Sequence, residues 1–443
     1  SASCDGVRPR RVYRRTSDLV NIPRRGAAVG AAALVAVLLV SACSPKRSND
    51  NADAPSGAGP STTAAGDTSP APTSSAPPQP AVLTTTPAAG AAGVSPVVPI
   101  KVAVSGGELS SVTLLNSEGK AVKGAFAAGN VAWASSEPLG YEKKYTLTAT
   151  AKNADGLETK HTSTFTTVTP GNLTMPYIQT AAGGEIAAGV TFGVGQVIRI
   201  HFDEKIPNRK AAQDAISVVT SPAQVGGFNW LDDQNVYWRS QVYLKAGSKV
   251  TITAHAYGKN FGGNLYGQAD ASTWFKVGAK HVSIADDNTK EIKVYENDKL
   301  IKTIATSMGR HASIAGDNGD PIDLRTNSGP HVVVGGETNI NMNSASFGLS
   351  KGANAYKTIV PVGVRISYDG EYVHWADWSV WAQGNTDTSH GCLNISPDNA
   401  WWFYNWSKPG DIVDVRNTGR PLQLWNSGYW TASWTQWLAG SAK

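Results

Sequence analysis

Between residues 82 and 279 the chain is written in short runs that alternate apolar and polar positions and are parted by turns. VVPIKVAV, VTLLN, YTLTATAKN and HTSTFTTV carry the first part, with Ser117-Glu118-Gly119 and Asp155-Gly156 as turn signals. VIRIHF, AISVV, NVYWRS, KVTITAHAYG and STWFKV carry the second. A period of two is the mark of half-buried strands. The pattern predicts a mainly β protein that opens with two immunoglobulin-like β-sandwiches, 82–169 and 170–279, and a short helix over 208–215. One larger β-domain is the competing reading.

Near Lys280 the pattern changes. EIKVYE and LIKTIA flank Asn297-Asp298-Lys299 as a hairpin, and further strands are expected at HVVVGG, TIVPVGVRISY and EYVHWA. Ser396 as N-cap, Pro397 at the first helical position and Asp398 in the first turn predict a short helix over AWWFYNW. Pro409-Gly410 stops it, and DIVDV closes a β-rich domain over 280–416. Residues 417–443 carry Trp425, Trp430, Trp434 and Trp437 on a Gly/Ser-rich tail, expected to cap a neighbouring domain.

The N-terminal region has a different grammar. Arg24-Arg25 precede GAAVGAAALVAVLLVSAC, the basic flank, short apolar core and small-residue end of a secretory signal. The core is short for a transmembrane span, which wants about 20 apolar residues. Val40-Ser41-Ala42-Cys43 resembles the lipobox of bacterial lipoproteins, so 1–43 reads as a lipoprotein signal with Cys43 as the lipidated residue. A plain signal anchor is the alternative. Residues 44–81 hold no aromatic and no aliphatic larger than Ala, and read as a disordered Pro/Ser/Thr/Ala tether. The expected location is the outer face of the cell membrane, held by a lipid anchor.

Composition changes this picture in two places. Charged residues are only 16%, and 45 Gly with 24 Pro disfavour a helical bundle. The net charge of +5 resides in residues 1–42, which hold seven Arg and two Asp, so the remainder is formally neutral and nucleic acid is not an expected partner. Of three cysteines, Cys4 and Cys43 fall to the signal, and Cys392 is left alone without a disulfide partner. A lone thiol in an oxidising compartment is exposed to damage, and reactivity is a reason to keep it.

The chemistry gathers in EYVHWADWSVWAQGNTDTSHGCLNI, Glu371 to Ile395. A thiol becomes a nucleophile when a neighbouring imidazole takes its proton or holds it as thiolate. His390 lies two residues from Cys392, a spacing that rarely puts a ring nitrogen on the sulfur. His374 lies 18 residues back and approaches across a sheet while loop 376–391 folds over. Gly391 lets backbone amides close on a reacting centre, as an oxyanion hole requires. A zinc site of His374, His390 and Cys392 lacks a fourth ligand, so no metal or cofactor is expected. A buried structural cysteine is the bland alternative.

His374, the gap after it and Ser389-His390-Gly391-Cys392-Leu393-Asn394 resemble the signature of L,D-transpeptidases with a YkuD-type catalytic domain. The likeness spans about 281–416, and the layout resembles the mycobacterial lipoprotein members. The resemblance implies 3-3 cross-linking of peptidoglycan between two meso-diaminopimelate residues. Cys392 attacks a donor tetrapeptide stem, D-Ala leaves, and an acceptor stem resolves the thioester; carbapenems acylate the same sulfur. It implies His374 as base, with the carbonyl of Trp375 orienting the imidazole, although relatives often carry a small residue there. The amides of Gly391 and Cys392 stand for the oxyanion hole. Tyr356, Asp369, Gly370, Asn394, Trp378 and Ser389 fall at substrate-facing positions. Met342 to Gly348 match a lid in which Phe347 stands where relatives have Tyr. An L,D-carboxypeptidase and a wall-bound scaffold with an inactive catalytic domain are the alternatives.

Overall fold

The computed structural model describes residues 77–442. The signal segment with Cys43 and nearly all of the tether lie outside the described residues. Two sandwiches come first. Strands Val82–Thr86, Lys101–Ser105, Ala132–Ser135 and Gly124–Phe126 form one sheet in that order, facing Glu108–Asn116, Lys144–Lys152 and Glu158–Thr166. Alternate residues of Lys144–Lys152 point inward, and Tyr145, Leu147, Ala149 and Ala151 are buried with Trp133 and Phe165. The second sandwich has its own core, in which Ile198, Ile200, Phe202, Val250, Ile252 and Phe275 come from facing sheets. Its helix, Arg209–Asp214, starts where the Asn208 side chain accepts from Ala211 N. The sandwiches are bolted together by tyrosines: Tyr141 Oη donates to Gly267 O at 2.7 Å, and Tyr257 Oη donates to Leu139 O at 2.6 Å.

Apart from a small hairpin of Ser313–Ala315 and Pro321–Asp323, the remaining strands form two sheets around one core. Five strands run in the order Lys299–Ala305, Glu291–Glu296, His281–Asp286, Ile412–Arg416 and Gly329–Val332. The hairpin turn is Asn297-Asp298, both at positive φ. Four strands run in the order Gly335–Asn343, Lys357–Arg365, Tyr372–Trp375 and Leu393–Ile395. Ile292, Val294, Val362, Val364, Val373, Leu393, Val413 and Val415 interlock between the sheets. Helix Pro397–Trp406 buries Ala400 and Phe403 and packs against Lys357–Arg365 and Tyr372–Trp375. It thereby clamps the strand of His374 from behind.

Two local expectations change. Ser396 has the extended backbone of an N-cap, but its side chain makes no capping bond. Pro397 sets the first helical φ without a donor, and Asp398 faces the helix dipole, so the start holds without the hydroxyl. The tail contains a helix that its Gly/Ser content hides. Helix Trp434–Ala439 is closed by a reciprocal capping box between Ser433 and Gln436. It docks on the second sandwich, where Trp437 Nε1 donates to Gly227 O at 2.9 Å and Asn229 Nδ2 donates to Trp437 O at 2.8 Å. The Arg239 guanidinium lies 4.6 Å from the ring centre of Trp430 and 4.8 Å from that of Trp437.

Candidate active site

Strand pairing brings the two ends of the informative stretch together. Tyr372–Trp375 and Leu393–Ile395 run parallel, with His374 opposite Asn394. On its other side His374 stands opposite Gly363, where a Cβ would lie 2.9 Å from that of His374. Only glycine leaves room for the histidine strand at this register. The crossover between the parallel strands carries Trp378, Ser389, His390 and Cys392, which close over a cavity of about 410 Å³. His374, Tyr356, Met342 and Asn394 also line it.

His374 is 3% exposed, and its Nδ1 donates to Trp375 O at 2.6 Å. That bond puts the ring proton on Nδ1 and leaves the Nε2 lone pair free to take another. Burial pulls the imidazole down to about 4, against the pull of the Trp375 carbonyl and Asn394. Cys392 is partly exposed, yet burial pushes its thiol up to about 12, with Glu371 and Asp369 adding to the rise. The resting pair is therefore neutral. Its thiol donates to Gly370 O at 3.7 Å, not to the imidazole. Burial disfavours the charged form of both groups, so of the two routes open to an imidazole the pair favours taking the proton during attack over holding a thiolate at rest.

His390 sits differently. Its Nε2 accepts from Arg310 Nη2 at 3.2 Å, and burial and then the guanidinium lower its proton affinity. The Tyr356 and Phe347 rings lie 5.1 and 6.3 Å from its own. Ser389 Oγ donates to Cys392 O at 2.6 Å and accepts from Gly391 N at 3.1 Å. The Gly391 amide expected in the oxyanion hole is thus already taken by the turn that shapes the nucleophile loop. Gly391 has φ +134, a backbone that side chains rarely adopt.

The segment expected to form a lid is the end of strand Gly335–Asn343 and the single turn Ser344–Phe347. Ser344 Oγ accepts from Tyr356 N at 2.8 Å and donates to Leu349 O at 2.6 Å, which pins the Tyr356 backbone to the lid. Burial, and less so Cys392, raises the Tyr356 phenol. Trp375 does not line the cavity. Its ring stands 5.8 Å from that of Trp378, edge to face, and so backs the residue that does. Trp378 lies 5.9 Å from His374 and is 49% exposed. Asn394 Nδ2 donates to Ser379 Oγ at 3.0 Å. Asp369 turns away from the cavity, accepting from Ser367 Oγ at 2.5 Å and from Asn327 Nδ2 at 3.4 Å. A short turn between strands holds this carboxylate.

Sequence reading missed Arg310 and Thr358, which reach the site from distant segments without a motif of their own, and Thr388, which lines the cavity beside Ser389. It also missed a partly buried cluster beside the crossover, with His311 at its exposed edge. Lys290 Nζ bonds Asp287 Oδ1 at 2.7 Å and Asp387, while His311 Nε2 bonds Asp287 Oδ2 at 2.7 Å. Two carboxylates and an imidazole resemble a metal cradle, but an ammonium already occupies its centre.

Residues 280–415 match the L,D-transpeptidase catalytic domain, and residues 91–260 match a bacterial Ig domain that runs across both sandwich cores. L,D-transpeptidase 2 of Mycobacterium tuberculosis is 39% identical over 364 residues, 82% of this chain and 85% of the relative. The chain belongs to the L,D-transpeptidase family. L,D-transpeptidase 5 of the same species is 34% identical, covering 81% of this chain and 77% of its own. A solved L,D-transpeptidase 3 of that species, in complex with a faropenem-derived adduct, is 27% identical at TM-score 0.43, covering 52% of this chain and 95% of its own. This L,D-transpeptidase is accordingly a cysteine acyltransferase, with two immunoglobulin-like sandwiches ahead of its catalytic domain.

Proposed function

We propose that the enzyme forms 3-3 cross-links between meso-diaminopimelate residues of two peptidoglycan stems. The observation that carries this reading is the His374 Nδ1 bond to Trp375 O, which leaves Nε2 as the basic atom of a cavity shared with the thiol. Cys392 passes its proton to Nε2 as sulfur attacks the diaminopimelate carbonyl of a donor tetrapeptide. Charge develops on the carbonyl oxygen, and the Cys392 amide receives it, since Ser389 holds that of Gly391. The C–N bond breaks, the proton on His374 goes to departing D-Ala, and a thioester remains. The side-chain amine of an acceptor stem loses a proton to His374, attacks the thioester and restores the thiol. A carbapenem acylates the same sulfur by opening its lactam ring. Tyr356, Trp378, Met342 and Asn394 form the walls that hold the stem, and Phe347 sits beyond them in the lid.

Incubation with a disaccharide-tetrapeptide tests this. A dimer lacking one D-Ala is expected by mass spectrometry. A tripeptide monomer alone would mean water replaces the acceptor, the carboxypeptidase reaction. No turnover would favour the scaffold reading.

Residues 1–43 read as a lipoprotein signal, and 44–81 as a tether, whose last residue Ala81 already packs in the first sandwich core, that sets domains 82–169, 170–279 and 280–416 away from the outer face of the membrane. A coil of 38 residues spans roughly 30–37 Å. One acyl chain binds only marginally, so more than one is expected on Cys43. Cys43→Ala should move the protein to the soluble fraction, and unchanged membrane retention would point to a signal anchor.

A further inference from the structure

Beside the nucleophile lies a buried pair of titratable side chains that none of these proton transfers uses. His331 sits in strand Gly329–Val332 and is fully buried; Glu371 follows Gly370 and is 5% exposed. His331 Nε2 lies 3.1 Å from Glu371 Oε2, and Nδ1 lies 2.9 Å from Gly329 O. Both ring nitrogens therefore face oxygens. The other carboxyl oxygen, Oε1, accepts from Asn327 N at 2.7 Å. Every strong contact of Glu371 is internal, and none reaches the cavity.

Its position gives the pair a task. A Cβ on Gly391 would stand 3.7 Å from both Glu371 Oε1 and Cγ, so the carboxyl packs directly against the residue before the nucleophile. Gly391 O accepts from Thr326 Oγ1 at 2.8 Å, one residue from the Asn327 amide that Glu371 holds. On the other side, Gly370 O is the acceptor of the Cys392 thiol. Glu371 thus meets both flanks of Cys392, through its buried carboxyl at Gly391 and through its own peptide bond at Gly370.

We propose that the His331–Glu371 pair is a positioning element for the transpeptidase reaction, holding Gly370 O and the Gly391 backbone so that Cys392 presents its sulfur to the cavity. The proposal rests on Cys392 being the nucleophile. Glu371 is also a carboxyl near the thiol and, with Asp369, opposes its ionisation; Tyr372 and His374 on the adjacent strand, Tyr356 across the cavity, and His390 with Arg310 behind it are other titratable or charged groups around it. Replacing the carboxyl should therefore leave a second trace, in the pH response of the thiol.

The test uses the full chain with Glu371→Gln, which keeps the volume and removes the charge, and Glu371→Asp, which keeps the charge and withdraws it by one methylene. Carbapenem acylation and pH-dependent iodoacetamide labelling, both mapped to Cys392 by peptide mass, are read beside thermal unfolding. Glu371→Gln is expected to slow acylation roughly ten- to a hundredfold, the scale of a misplacement of about 1 Å. Its labelling should shift toward lower pH, because an opposing negative charge is gone. Glu371→Asp should slow acylation while its labelling profile stays in place. A folded Glu371→Gln protein with wild-type acylation and an unmoved labelling profile overturns the proposal. So does a lowered unfolding temperature with an unmoved profile, which is what a merely structural pair would give. If the Gln variant fails to fold, His331→Gln, which keeps a donor toward Glu371, takes its place: slowed acylation supports the role and wild-type acylation refutes it. A wild-type protein that labels or acylates nowhere at Cys392 would fail the nucleophile reading instead.

Discussion

Arg310 Nη2 stands 3.2 Å from His390 Nε2, and this contact separates the two histidines beside Cys392. A guanidinium has no acceptor, so it can only donate, and it occupies the lone pair that a general base would need. His374 keeps its own lone pair because its proton is committed to Trp375 O.

Intact-mass spectrometry with a carbapenem should reflect that difference. Cys392→Ala is expected to give no adduct. His374→Ala should form one slowly, with the rate lowered by roughly 10²–10⁴ as general-base help disappears. His390→Ala should retain measurable acylation. A full-rate adduct in His374→Ala with none in His390→Ala would transfer the base to His390.

The pH response rests on the neutral pair. With the His374 imidazole drawn down to about 4, the base stays unprotonated until the solution is more acidic than that. The acid limb of carbapenem acylation should therefore fall near pH 4, well below the ordinary histidine range around 6.5. With the thiol pushed up to about 12, labelling by a small alkylating reagent should still be rising at about pH 10. A labelling plateau near pH 8.5, roughly the value of an ordinary cysteine, would contradict the buried neutral thiol.

The tail should matter to stability more than to chemistry. Trp437 is fully buried between the second sandwich and Tyr429, with its indole N–H bonded to Gly227 O. Trp437→Ala removes that volume and leaves Arg239 without one of its flanking rings, at a cost of about 3–5 kcal/mol by analogy with other buried aromatics. Thermal unfolding should fall and split into separate transitions, since the tail joins two cores. A single transition at the wild-type temperature would show that the clamp carries no stability.

Much of this enzyme is legible in its sequence. Strand periodicity is a local property, because side chains alternate across a pleat whatever lies beyond it, so the sandwiches and the EIKVYE hairpin can be read directly. Cys392 stands out as a lone thiol, and the Ser389-His390-Gly391-Cys392 run as its setting. Local helix signals are only half informative: Pro397 and Asp398 suffice without the Ser396 hydroxyl, and the Ser433 capping box lies hidden in a tail that composition describes as irregular.

What tertiary structure alone decided is who faces whom, and in which protonation state. Nothing within a few residues of His390 places Arg310 on its lone pair, because 80 residues separate them and only sheet packing brings them together. The same holds for His331 and Glu371, 40 residues apart, and for Lys290 and Asp387, 97 apart. Whether a thiol rests as an anion depends on the dielectric and charges around it, and those belong to the assembled cavity. Sequence therefore named the nucleophile and its candidate bases; the packed fold removed one base, neutralised the pair and set a buried carboxyl against the nucleophile loop.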